Sequence, residues 1–110
     1  MDNNGELQEI EINLNVAKEG LLDESWLRTF GWAIQKIMGS MFGQTSIPVS
    51  IKGTHSQVRD FSRALGKEKT YLEQYKSYGL NNPKTYQSRY ALDSAVKKFE
   101  RSTGIKWPFK

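Results

Sequence analysis

Arg59, Arg63 and Lys67 recur at i, i+4 and i+8, so at about 100° per residue they form one ridge along a helix. Their chemistry is anion neutralisation, because guanidinium and ammonium groups repeated at one-turn spacing suit a chain of phosphates. The ridge lies opposite Phe61 and Leu65, and Asp60 answers only part of its charge. Like charges four residues apart cost a helix roughly 0.2–0.5 kcal/mol per pair, so helix stability alone does not explain the arrangement. Further along, Lys97 and Arg101 fall opposite Leu92 and Phe99, in the same quadrant as Tyr86 and Tyr90. Basic side chains beside aromatic faces on which unstacked bases can rest are what single-stranded nucleic-acid binding requires. The plain alternative is a solvated charged face, with Tyr86 and Tyr90 packed on the neighbouring helix and their hydroxyls in water.

Other residues invite chemistry less strongly. Trp32 lies off the apolar stripe of its helix, one turn from Arg28 and from Lys36. An exposed Trp anchors a protein partner or stacks on a base; the alternative is a Trp covered by the second strand, the loop from Gly43 or the C-terminal tail. Glu68 falls on an otherwise apolar stripe, where a carboxylate acquires a raised pKa unless it pairs with a Lys or Arg of a neighbouring helix, the commoner outcome. His55 is the only histidine and sits in a helix N-terminal turn. No Gly-rich phosphate loop, nucleophile elbow or pair of acids at metal-ligand spacing occurs, so the chain reads as a non-enzyme with no cofactor and no metal site. No RRM, KH, zinc-finger or basic-zipper pattern is present, which disfavours sequence-specific readout.

The chain that must position these residues has 110 of them, enough for one domain with one core. Cysteine is absent, which removes disulfides and thiolate chemistry and agrees with a cytoplasmic protein. No charge-free apolar run approaches the roughly 20 residues of a membrane span, and the first residues are acidic and polar where a signal peptide would be basic and then apolar. Charge is uneven: residues 1–52 carry −3 and residues 53–110 carry +7, together the +4 of the whole chain. Such asymmetry favours an anionic partner.

Hydrophobic periodicity divides the chain into five elements. Residues 9–16 alternate, with Ile10, Ile12, Leu14 and Val16 on one side, and predict a strand. Asp23 caps a helix over 24–42, whose stripe includes Trp26, Leu27, Phe30, Ile34, Ile37, Met38 and Met41. A second strand spans 47–52; Pro48 makes it an edge, or confines its pairing to Val49 onward. Thr54 and Gln57 have capping-box spacing and open a helix over 55–78, with Val58, Phe61, Ala64, Leu65, Leu72 and Tyr75 on its apolar face. Gly66 marks a place for a kink or break. Gly79 suits a left-handed cap, with Leu80 closing back on Tyr75 as in a Schellman motif. Asn82 and Pro83 start a third helix over 83–103, which Gly104 ends, and the apolar tail 105–110 folds back on the core.

The expected architecture is a small α+β domain of order β-α-β-α-α, two short strands packed by three helices. Strands joined through a helix imply a parallel pair. Two strands alone leave open edges, which suggests either a helical cover or a homodimer through the sheet edge. The stretch Gly53-Thr54, Gln57, Phe61, Ala64-Leu65, Glu68 and Tyr71, then Gly79-Leu80 and the ending Phe99-Glu100 and Thr103 to Phe109, resembles small uncharacterised proteins encoded by tailed bacteriophages. The likeness covers the last half of the chain and implies a viral origin and a small accessory role in a bacterial host cell, with no functional residue carried over. Two functions follow. One is a non-catalytic nucleic-acid-binding accessory using Arg59, Arg63, Lys67, Lys97 and Arg101 on phosphates and Tyr90 for stacking. The other is a structural or regulatory module that meets a host or viral protein through Trp32 and the sheet edge.

Overall fold

Three side chains set where the helices begin. The computed structural model describes residues 9–43 and 47–109; the acidic first residues, residues 44–46 of the loop from Gly43, and Lys110 at the end of the apolar tail lie outside that description. Asp23 Oδ1 accepts from the Trp26 amide at 2.7 Å and opens α1, Glu24–Phe42. Thr54 Oγ1 accepts from the Gln57 amide at 3.2 Å while Gln57 Oε1 accepts from the Thr54 amide at 2.8 Å. This reciprocal pair opens α2, His55–Tyr78, and leaves two of its orphan donors satisfied. Asn82 Oδ1 accepts from the Lys84 amide at 2.9 Å and opens α3, Pro83–Thr103.

The helix ends differ from one another. Gly104 adopts the left-handed conformation (φ 74°, ψ 10°) and donates to the Glu100 carbonyl, as a helix-stopping glycine does. Gly79 also has positive φ (79°), but its ψ of −177° is extended, and its amide makes a single bond to the Tyr75 carbonyl. The expected Schellman closure is therefore not made, and Leu80 is 55% exposed. Instead the Thr85 hydroxyl donates to the Gly79 carbonyl at 2.7 Å and ties the turn to α3. Gly66 neither breaks nor ends α2, which runs unbroken through it.

Two parallel strands, β1 (Ile10–Asn13) and β2 (Val49–Lys52), pair in the register Ile10 to Val49 and Ile12 to Ile51. Pro48 contributes only its carbonyl, which accepts from the Ile10 amide at 2.9 Å, so the ladder starts at Val49 and not at residue 47. The first strand is also shorter than its alternation implies. The Leu14 amide still donates to the Lys52 carbonyl at 2.7 Å, but Asn13 Oδ1 accepts from the Asn15 amide at 3.0 Å, and this side-chain bond turns the backbone out of the ladder beyond Leu14. Leu14 and Val16 nevertheless remain buried, so the alternation recorded burial correctly and strand length wrongly.

The core gathers around four rings. Phe30 of α1, Phe61 of α2, Phe99 of α3 and Trp107 of the tail all meet with centroids 5.3–6.4 Å apart, offset and edge-on arrangements that add to burial. Ile105 and Trp107 are buried, so the tail does fold back. Met41 and Tyr75, both assigned to apolar stripes, are exposed; each lies in the last turn of its helix, past the edge of the core.

Candidate functional site

Helices α2 and α3 lie side by side and run in opposite directions. Gln57 Nε2 donates to the Ser102 carbonyl at 3.4 Å at one end of the pair, and Thr85 meets the end of α2 at the other. The antiparallel arrangement sets the first three turns of α2 against the last turns of α3. A groove of about 420 Å³ forms there, lined by Arg59, Asp60 and Arg63 from α2 and by Lys98, Arg101 and Ser102 from α3. Its walls carry four cations and its acids number one.

That one acid is held within the groove wall. The Asp60 side chain is 8% exposed and meets Arg59 Nε at 3.4 Å, so Arg59 is partly engaged. Arg63, Lys98 and Arg101 are exposed and form no ion pair among the described residues. Other acids of the two helices face elsewhere: Glu73 pairs with Lys69 at 3.5 Å, Asp93 pairs with Arg89 at 3.5 Å, and Glu100 accepts from the Trp107 amide at 2.9 Å. Arg101 also lines an adjoining shallow hollow of about 470 Å³ with Lys97 and Glu100, so it joins the two depressions.

The residues singled out by spacing therefore separate into two sets. Arg59, Arg63 and Arg101 come together in the groove, and Lys97 stands in the hollow beside it. Lys67 is exposed one turn beyond Arg63 but does not line the groove. Tyr90 is 77% exposed and lines none of these depressions; it lies two turns before Lys97 on the same face of α3, about 10.5 Å along the axis. Tyr86 and Tyr90 are both exposed, at 53% and 77%. Comparison with family models, curated proteins and solved structures finds no match. The chemistry of the groove thus stands on its own geometry.

Spacing missed Lys98. It lies about 100° from Phe99 on the helical wheel, on the flank of the buried stripe, where Lys97 lies nearly opposite. The flank that touches α2 is the one that counts. Its i, i+3 relation to Arg101 was a usable signal, since both belong to one face.

Trp32 is 49% exposed, and the Lys36 ammonium sits 5.7 Å from its ring centroid. The tail passes close by, with Pro108 next to Gly31, yet does not cover the indole. Trp32 takes no part in the groove. His55 is exposed in the first turn of α2. Among the described residues no group of three or more His, Asp or Glu could hold a metal ion, and no helix is long and apolar enough to cross a membrane.

Glu68 is 5% exposed and does not meet a cation as expected. Trp107 Nε1 donates to its Oε1 at 2.9 Å, and no Lys or Arg contacts it among the described residues. Burial raises its pKa above the ordinary carboxylate range, opposed in part by the Trp107 bond and by the charge of Arg89. Such a group is poised for binding or proton chemistry only if something reaches it.

Proposed function

We propose that this protein is a small non-catalytic nucleic-acid-binding accessory that grips phosphates in the groove between α2 and α3. The observation that carries the reading is the convergence of Arg59, Arg63, Lys98 and Arg101, from two helices, on one concavity whose only acid is Asp60. Guanidinium groups suit this task because they meet phosphate oxygens two at a time. Single strands fit better than duplex, because the exposed rings of Tyr86 and Tyr90 lie on the face of α3 that continues from Lys97 and can stack unpaired bases. The reading includes a viral origin and an accessory role inside a bacterial host cell, which rest on the resemblance of the C-terminal residues alone.

The test is fluorescence anisotropy with a labelled single-stranded oligonucleotide of mixed sequence, at low salt. Reversing charge with Arg63→Glu and Arg101→Glu together abolishes binding if the groove is the site, and unchanged binding removes it.

A second reading rests on the exposure of Trp32 and on a sheet with only two strands among the described residues. There the protein is a structural or regulatory module that dimerises through its sheet edge or meets a host or viral protein. Association of that kind survives high salt and depends on Trp32, whereas phosphate binding does neither.

A further inference from the structure

On the α1 side of α2 a second concavity differs in kind from the cationic groove. It measures about 290 Å³ and is lined by Gln35 and Met38 of α1, Glu68 and Leu72 of α2, and Phe109 of the tail. Its walls are a thioether, a branched aliphatic and an aromatic ring, and one acid lies among them. That acid has one oxygen held by the Trp107 indole at 2.9 Å. No cation contacts it among the described residues: the adjoining Lys67 is exposed, Lys69 pairs with Glu73, and Arg89, whose charge reaches Glu68 only through space, pairs with Asp93 and lies 5.8 Å from the Tyr71 ring. A buried carboxylate is costly unless it meets a partner, and this one meets a single neutral donor.

We infer that this pocket binds a small apolar primary amine, its ammonium group on the Glu68 carboxylate and its hydrocarbon body against Met38, Leu72 and Phe109. Size sets the class, since the pocket stands at the small end of ligand sites and about twice a cavity that takes a benzene ring, enough for one ring with a short arm. Charge sets the head group, because an ammonium offers three donors to a carboxylate that has one oxygen not engaged by Trp107. Gln35 at the α1 wall supplies a further amide acceptor for a second ammonium proton. The site is separate from the phosphate groove, with which it shares no lining residue.

The probe is cyclohexylmethylammonium, titrated into the full chain and followed by NMR through the indole N–H of Trp107 and the methyl of Met38. Cyclohexylmethanol and cyclohexanecarboxylate serve as neutral and anionic matches of the same body. The expected result is a saturable shift of both signals with the ammonium, about tenfold weaker affinity for the alcohol, and no saturation with the carboxylate. Glu68→Gln then removes the preference for ammonium over alcohol, while Phe109→Ala, which leaves the carboxylate in place, weakens both about equally. The inference is overturned by no saturable shift with the ammonium, by equal affinity for alcohol and ammonium, or by unchanged ammonium binding in Phe109→Ala.

Discussion

Neutralising Arg63 and Arg101 together is the most informative perturbation of the groove. Both are exposed, neither forms an ion pair among the described residues, and Arg101 lines both depressions, so removing them disturbs binding more than folding. Arg59 is a poorer choice, because its loss strands the carboxylate of Asp60 beside it. If the four groove cations each displace one counterion from a single strand, log affinity falls with log salt at a slope of about −2.8. Raising salt from 50 to 200 mM then weakens binding roughly fifty-fold in the unaltered protein. With Arg63→Ala and Arg101→Ala two contacts remain, the slope halves to about −1.4, and the same change of salt costs only about sevenfold. Anisotropy titrations of a fluorescent single-stranded oligonucleotide at four salt concentrations measure both slopes. Lys106→Ala with Lys36→Ala is the control, since it removes the same charge from exposed positions outside the groove. Equal slopes for the two double variants refute the reasoning, because net charge and not the groove would then govern binding.

Four further outcomes test other parts of the structure. Gly66→Ala raises stability by about 0.5–1 kcal/mol, because α2 is unbroken there and a Cβ at that position meets no atom within 4 Å; a lower Tm by calorimetry contradicts the continuous helix. Gly104→Ala, in contrast, costs about 1–2 kcal/mol, since φ is +74° and the added Cβ comes within 3.1 Å of Ala17 Cβ. Glu68→Gln raises Tm at neutral pH, because it keeps an oxygen for the Trp107 indole while removing a charge that burial disfavours. The sign follows from the raised pKa: the folded state binds more protons than the unfolded one above the ordinary carboxylate range, so Glu68 itself costs stability as pH rises through its folded pKa. The advantage of Gln therefore shrinks as pH falls through the raised folded pKa towards 4.5 and is lost below that, and an advantage that grows on acidification contradicts the assignment. Trp32→Ala leaves oligonucleotide affinity within about twofold if the groove is the site, since the indole lies outside it; a larger loss moves the binding face to α1.

Much of the fold was legible because local signals agreed with one another. The Thr54 and Gln57 pair, the Asn82-Pro83 start and the Gly104 stop each act within a few residues, and all three act as read. Failures occurred where a local bond competed with a longer pattern. Asn13 stops β1 through its own side chain although Leu14 and Val16 continue the alternation. At Gly79 a glycine with positive φ was necessary for a Schellman closure but not sufficient, because its ψ of −177° carries the chain away from the helix end, where the Thr85 hydroxyl holds the Gly79 carbonyl. Neither outcome depends on hydrophobic periodicity, and so periodicity did not reveal it.

The groove shows a different limit. Periodicity locates a side chain around its own helix axis but does not say which neighbour occupies each flank of the buried stripe. Arg59 and Arg63 were found from spacing alone, while Lys98 emerged only when α3 was seen to lie antiparallel to α2. The signals behind the two proposed surfaces were breaches of local economy: like charges repeated at one-turn spacing, and a carboxylate set in an apolar stripe. Both fall on α2, and the structure separates them, the arginines to the groove shared with α3 and Glu68 to the pocket shared with α1 and the tail. A helix kept for packing alone gains nothing from either breach, and it could replace Lys67 by Glu to relieve the ridge or Glu68 by Leu to complete the stripe. That it carries both, on opposite flanks, is why both proposed binding surfaces are placed on α2.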